Sequence, residues 1–576
     1  MFKLTNYLKR YKGRAILGPA FKLFEAIFDL VTPILVALIL DEGIPSENKT
    51  FIIWISVAIL GMNLFGFACA IICSKCASMV SRGVGKDIRS DMYRHITGLS
   101  SAEKDRFTTM ALTNRVVHDV NQVENAIGAT IRNIARAPFL LIGSTIAAII
   151  IDAKLSLIFL AVMPLIVCVV LLIMKKASPK FLKAKADLDK VSNVTRENLS
   201  GNRVVRAFNK QEEEISKFDS ANKKFTHTNL QIGTLAAFMK PLLYIIVQLG
   251  TIAVVYFGGL HVNAGELTQG KIISFINFFT QISGSLVVIS RIIIVYTRTG
   301  ASLQRIGEVF GYSSSVKNTD KPAELTKETP ADIEFKNVCF SYNNQKNVVE
   351  NLSISIEAGS TIGIIGGTGS GKSSLVNLLP RLYDVSSGEI LIAGKNIKKY
   401  DLNVLRDYVS IVPQNPILFK GTIESNLRFR KKDATQEEMV KALKISQSYE
   451  FVYEKPDNIK TRVERGGTNF SGGQRQRLTI ARALVGDPKV LILDDSSSAL
   501  DFETDYKLRQ ALAITLKDTT KIIVSQRTNS IKDSDQIIVM DNGNIVGIGK
   551  HDELLQNCDV YKEIYASQNK EEVENG

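Results

Sequence analysis

Histidine and cysteine are scarce in this chain, five and six among 576 residues. The cysteines stand at 69, 73, 76, 168, 339 and 558, and only Cys73 and Cys76 have ligand-like spacing. Without a second such pair they make no zinc module and read as buried thiols. Their placement implies no oxidising compartment. A removable leader is not expected either. The opening MFKLTNYLKRYKGR is basic and amphipathic, runs into an apolar stretch too long for a signal core, and shows no small-residue cleavage site. It reads as an interfacial helix entering a first membrane span. Negative charge is in deficit, with 57 Asp and Glu against 71 Lys and Arg, a formal net charge of +14. Such an excess suits nucleic acid or a membrane surface. Here it sits beside apolar runs, so a membrane is expected and nucleic acid is not.

Mean hydropathy is close to neutral, yet the average hides two unlike halves. A span needs about 20 mainly apolar residues. Six stretches qualify: about 15–40, 51–74, 134–151, 155–174, 238–258 and 271–296. The third and fourth are separated only by Asp152-Ala-Lys154, a tight hairpin. Residues 75–133 and 175–237 are long and polar with helical periodicity, so helices reaching well beyond the bilayer are expected there. Both are rich in Lys and Arg, whereas the opposite connections hold only Lys49, Lys154 and Lys271. The positive-inside rule then predicts a cytoplasmic N-terminus, cytoplasmic long loops and a cytoplasmic C-terminal domain. Domain boundaries are expected at 1–311 for the transmembrane domain, 312–330 for a polar linker and 331–576 for a soluble α/β domain.

Several spans carry charge: Lys22, Glu25 and Asp29 in the first, Lys240 in the fifth, Arg291 in the sixth. A central charge costs about 2.5–3.5 kcal/mol on insertion scales, so each should meet a partner or a wet cavity. One reading pairs Lys22 with Glu25 or Asp29 a turn away; the other places Glu25, Asp29 and Arg291 along a substrate pathway.

Residues 361–373 read TIGIIGGTGSGKS. A β-type run feeds a glycine loop, and Lys372 opens a helix, which is the strand–loop–helix context of a phosphate-binding loop. Gly366, Thr368, Gly369, Ser370 and Gly371 would turn backbone N–H groups toward phosphates. Lys372 would reach the β- and γ-phosphates, and the Ser373 hydroxyl would hold Mg²⁺ beside Ser374. Further on, VLILDD at 490–495 has the form of a buried parallel strand ending in two carboxylates. Asp494 would hold Mg²⁺; Asp495 stands where a base for attacking water belongs. Between them, FSGGQRQR at 470–477 offers another anion-binding helix start at Ser471, Gly472, Gly473 and Gln474.

These three elements together resemble the ATP-binding cassette (ABC) family. The likeness runs from about Ile333 to Gly549 and implies an ATP hydrolase coupled to transport, with ATP and Mg²⁺ as cofactors. It implies that Tyr342 in NVCFSY stacks on adenine, and that Gln414 in VSIVPQNPILFKGTI touches Mg²⁺ and senses the membrane domain. It makes Ser471–Gln474 a signature serving the partner's ATP, and puts Asp501 of SSSALD in a loop crossing the dimer interface. The membrane half is similar to the six-span exporter fold, notably GELTQG at 265–270 and GNRVVRAFNKQEEE at 201–214. Coupling helices would then fall at about Thr108–Arg115 and Arg203–Lys210. The expected fold is a membrane all-α six-helix domain followed by an α/β P-loop NTPase domain.

Two positions depart from the family pattern. Its usual glutamate after the Mg²⁺ aspartate is here Asp495, and its switch histidine is here Gln526 in IIVSQRT. Aspartate is one methylene shorter, and glutamine cannot carry a proton. Loss of a positioned base costs about 10²–10⁴ in rate. The resemblance therefore points to the degenerate-site subunit of a heterodimeric bacterial multidrug exporter, whose partner chain carries the consensus Glu and His. The alternatives are a slow homodimeric lipid or peptide exporter and an ATP-gated channel.

Overall fold

The computed structural model describes residues 3–342 and 346–568, without the side chains at 182, 236, 240, 290, 291, 293, 294 and 297. The expectations for Lys240 and Arg291 concern side chains outside the described residues. The chain divides into two compact units, Met1–Thr97 with Thr109–Gly311, and Gly98–Thr108 with Tyr312–Gly576.

The first unit holds six helices long and apolar enough to cross a membrane: Lys12–Gly43, Lys49–Gly98, Thr109–Ile151, Ala153–Ser200, Gln211–Asn263 and Gln269–Ile289. Several are far longer than a bilayer requires. The 50-residue helix Lys49–Gly98 extends roughly 75 Å at 1.5 Å per residue. Its polar half continues the apolar half without a break, as the periodicity of 75–133 predicts. Asp152 makes the hairpin between the third and fourth helices. Its backbone is extended, and one carboxylate oxygen accepts from the N–H groups of Lys154 (2.8 Å) and Leu155 (2.9 Å), capping the next helix.

The charges of the first span are paired. Lys22 Nζ lies 2.6 Å from Glu25 Oε2. Arg136, at the start of the helix Arg136–Ile151, reaches Asp29 Oδ2 at 2.8 Å and Glu25 Oε1 at 3.8 Å. Two cations and two anions thus offset one another. Arg136, which sequence reasoning did not consider, is the partner Asp29 takes instead of Lys22.

Pro33 lies inside the same helix. It has no N–H, so the carbonyl of Asp29 loses its helical donor. Gln281 of the sixth span replaces it: Nε2 donates to Asp29 O at 2.8 Å, while Oε1 accepts from Ser144 Oγ at 3.1 Å. In an apolar surrounding an orphaned carbonyl is expensive. Gln281→Leu should therefore cost about 1–3 kcal/mol, read as a lower melting temperature of the detergent-solubilised protein. An unchanged midpoint would mean the carbonyl finds another donor.

In the second unit the strands are β1 Ile333–Phe340, β2 Val349–Ile356, β3 Thr361–Gly366, β4 Ser387–Ile392, β5 Lys395–Asn396 and β6 Val409–Val412. They continue as β7 Gly421–Thr422, β8 Arg462–Val463, β9 Val490–Asp494, β10 Thr520–Val524, β11 Gln536–Asp541 and β12 Asn544–Gly549. A six-stranded sheet runs β12-β11-β3-β10-β9-β6, and a four-stranded antiparallel sheet runs β2-β1-β4-β5. Within the larger sheet only β12 is antiparallel. The C-terminal ends of β3, β10, β9 and β6 therefore open on one edge, where a parallel sheet presents ligands. β9 is buried along its whole length, as its unbroken apolar run predicts.

A helix at Thr109–Asn114 overlaps the expected Thr108–Arg115, and the first chain reversal lies upstream of it. Helix Lys49–Gly98 stops at Gly98, a short helix covers Ser101–Lys104, and Arg115–Asp119 is a π-helical turn inside the helix that follows. The reversal is fixed by side chains of its own unit. Tyr383 donates its hydroxyl to Asp105 Oδ2, Phe107 packs edge-on to Tyr312 at 5.3 Å, and Glu103 accepts from the Ser315 N–H at 3.2 Å. The second short helix, Asn202–Ala207, overlaps the expected Arg203–Lys210.

Candidate nucleotide site

The loop after β3 is shaped by close backbone approach. A Cβ built at Gly366 would lie 2.0 Å from the Met540 carbonyl oxygen, and one at Gly371 (φ +96°) 2.6 Å from that of Val348. No side chain fits at either point without moving backbone. Thr368 and Gly369 are exposed at the mouth while Ser370 is buried. Lys372 curls back into the loop: Nζ donates to Gly367 O at 2.6 Å, Gly366 O at 2.8 Å and Ser370 Oγ at 3.2 Å. Burial pushes its pKa down, opposed by the charges of Asp495 and Asp494.

Across the edge, Asp494 ends β9 and is 5% exposed. Its Oδ1 accepts from Ser373 Oγ at 3.0 Å, so the two residues nominated for Mg²⁺ touch. Burial raises the Asp494 pKa, and neighbouring Asp495 raises it further; the Ser373 hydrogen bond and Lys372 oppose the rise. A carboxylate held this way gains from a cation, and Mg²⁺ needs only a few protein oxygens besides water and phosphate. The donor set fits. Among the described residues no group of three or more His, Cys, Asp or Glu could hold a metal ion.

Asp495 begins the turn after β9 with φ +45°, a left-handed conformation that aspartate tolerates. Its N–H donates to Val524 O at 2.9 Å, and its Oδ2 accepts from Gln414 Nε2 at 3.0 Å. The nominated base and the nominated sensor are therefore hydrogen-bonded to each other. Gln526 is exposed just past the end of β10. Tyr342 stands beside the phosphate loop, its hydroxyl 3.0 Å from Ser374 Oγ. Its ring packs edge-on against Phe340 (4.8 Å) and Tyr383 (5.3 Å). Tyr383 was missed from sequence, since nothing local marks it; it links the Tyr342 ring to Asp105 of the first chain reversal.

The signature residues stand apart. Ser471 caps the helix Gly472–Leu484, its hydroxyl accepting from Gln474 N–H at 3.2 Å while Gln474 Oε1 accepts from Ser471 N–H at 3.1 Å. A Cβ built at Gly473 would lie 3.2 Å from Ala499 O, so this helix start abuts the loop leading to Asp501. Among the described residues, these hydrogen bonds do not reach the phosphate loop. Asp501 caps the next helix by accepting from Thr504 N–H at 2.9 Å, and that bond holds its pKa below the ordinary range.

The family models agree with this layout. The model for the ABC transporter transmembrane region matches residues 15–286, and that for the ABC transporter matches 349–498. An uncharacterised ABC transporter ATP-binding protein of Mycobacterium tuberculosis is 34% identical over 98% of this chain and 97% of its own. A second such protein, from Bacillus subtilis, is 32% identical over 99% and 98%. An ATP-dependent lipid A-core flippase of Syntrophus aciditrophicus is 28% identical over 92% and 88%. A solved bacterial Atm1-family ABC exporter with ATP bound shares the fold at a TM-score of 0.80, with 22% identity over 98% of this chain and 99% of the other. Six apolar helices, a phosphate loop facing a buried carboxylate, and relatives of the same length make this chain a member of the ABC transporter family, an ATP-driven exporter half that joins a transmembrane domain to its ATPase.

Proposed function

We infer that this chain is the degenerate-site subunit of a heterodimeric exporter of hydrophobic or amphipathic compounds, with several drugs among its cargo. One observation carries the reading: Asp495 is engaged with Gln414, and Gln526 has no ionisable group where the family has histidine. Tyr342 would take the adenine, and Lys372 with the loop N–H groups the phosphates. Ser373, Asp494 and Gln414 would hold Mg²⁺, which when bound neutralises charge between the β- and γ-phosphates. The shorter Asp495 carboxylate, tied to Gln414, would take a proton from water poorly, so ATP here would persist. Ser471, Gly472, Gly473 and Gln474 would complete the partner's site, with Asp501 between the two. The Lys and Arg of the long loops support a cytoplasmic N-terminus and nucleotide-binding domain, divided at about 311 and 331.

The experiment is assembly. Purified alone in lipid, this chain should show ATPase near background. Co-expression with a half-transporter carrying Glu and His at the two altered positions should give drug-stimulated ATPase and dye efflux. Robust hydrolysis and transport by the isolated homodimer would sink the heterodimer. That outcome would favour the second reading, a homodimeric lipid exporter, to which the flippase name of one relative lends weight.

A further inference from the structure

The turn after β10 is held from outside the nucleotide site by the last residue of the C-terminal helix Asp559–Gln568. Gln568 Oε1 accepts from the Thr528 N–H at 2.9 Å and from the Thr528 hydroxyl at 3.0 Å. Gln568 Nε2 donates to the carbonyl of Gln526 at 2.7 Å. One backbone partner can only donate and the other can only accept, so the amide has a single satisfying orientation. The helix behind it is firmly seated. Tyr561 is fully buried among Ile365, Ile531, Ile537 and Val539, and its hydroxyl lies 2.7 Å from His551 Nδ1. On the far side of the turn, Arg527 donates to Ser498 O at 3.2 Å and stands 5.4 Å over the Phe502 ring. Three successive residues thus join the C-terminal helix to the loop between Asp495 and Asp501.

We propose that Gln568 is a positioning residue for Gln526: by fixing that backbone it lets the Gln526 amide meet a γ-phosphate, and so gives the site its preference for ATP over ADP. This rests on the reading of Gln526 as the switch-position residue. The chemistry explains why a clasp matters here. A protonated imidazole attracts phosphate over a distance, whereas a neutral amide acts only through a directional hydrogen bond that weakens steeply with angle. Glutamine at 526 therefore depends on its backbone more than histidine would. Gln568 is separated from Gln526 by 42 residues, and among the described residues its hydrogen bonds go to Thr528 and to the Gln526 carbonyl, so it acts through the turn.

The test uses the full-length, assembled transporter. ATP and ADP affinities are measured by displacing photoreactive azido-ATP, scored on this chain. The variants are Gln568→Ala, Gln568→Glu, Gln526→Ala and the double Gln568→Ala/Gln526→Ala. A hydrogen bond to a charged group is worth about tenfold in affinity. Gln568→Ala should lower the ATP-over-ADP preference about fivefold to tenfold, with ADP affinity kept. Gln568→Glu keeps the acceptor for Thr528 but sets a carboxylate oxygen against the Gln526 carbonyl, so it should lose as much. The double variant should be no worse than Gln526→Ala. Equal loss of ATP and ADP would reduce Gln568 to a structural prop and overturn the proposal. So would additive losses, or a Gln568→Ala effect where Gln526→Ala is silent. A silent Gln568→Ala beside an impaired Gln526→Ala overturns it while sparing the switch reading; silence of both removes the two together.

Discussion

Ser471→Arg should lower the steady-state ATPase of the assembled transporter by about 10²–10³-fold, the loss typical of removing a preorganised donor from a reacting oxyanion. Asp495→Asn, by contrast, should leave most of it. The difference follows from where each residue works. Ser471 is exposed at the start of a 13-residue helix, and the adjoining Gly473 is wedged against Ala499 O. Its hydroxyl and the Gly472 and Gly473 N–H groups would meet the partner chain's γ-phosphate, at the competent site. An arginine there fills the space of the phosphate and removes the cap on Gln474 N–H. On the proposed heterodimer Asp495 would belong to this chain's own slow site, and it already spends one oxygen on Gln414, so asparagine should remove little turnover. Asp495→Glu should raise turnover only modestly unless Gln526→His accompanies it, since a longer base still lacks the switch. The measurement is ATPase of each purified pair. If Asp495→Asn abolishes hydrolysis while Ser471→Arg is silent, the two sites are assigned backwards.

Six spans, the phosphate loop and the acidic strand end were legible because each carries a local signal: an apolar run, a fixed glycine spacing, a buried strand closing on carboxylates. The polar contacts that hold the membrane unit together were not. Arg136 finds Asp29 across 107 positions, and Gln281 serves the carbonyl that Pro33 leaves free across 252. No periodicity marks such partners; only the packed helices bring them together. GELTQG shows both sides of this limit. Resemblance flagged the segment, but its physical reason lies in Asp41, within a π-helical turn, which accepts from Thr268 Oγ1 at 2.6 Å and Gly270 N–H at 2.8 Å. Gly270 is there because a Cβ would sit 2.6 Å from Ala37 O. The first reversal has a similar character. The polar run 75–133 has helical periodicity, and nothing in it marks the contacts of Glu103, Asp105 and Phe107 with Ser315, Tyr383 and Tyr312, more than 200 residues away.

Lys372→Met should weaken Mg-ATP binding at this chain by about 10²–10⁴-fold, since each charge-assisted hydrogen bond contributes about 1.5–3 kcal/mol and about two would be lost. Lys372→Arg should fail nearly as badly, and that is the more telling result. The ammonium sits 2.6 Å from Gly367 O and 2.8 Å from Gly366 O, in a loop where a Cβ at Gly366 would already lie 2.0 Å from Met540 O. A compact ammonium can exchange those carbonyls for phosphate oxygens by turning about its flexible stem. A planar guanidinium keeps the charge, but its fixed fork is too broad for the same cage and would push the loop away from the phosphates. Charge alone is therefore not enough; the loop is built to the size of the lysine. Because ATP retained at this site would hold the motor domains together, turnover at the partner's site should fall along with binding. Equilibrium binding to the assembled transporter, scored on this chain, checks both variants. An Lys372→Arg affinity within about threefold of the parent, roughly 0.7 kcal/mol, would show that the site asks only for a positive charge and that the narrow loop sets no size limit.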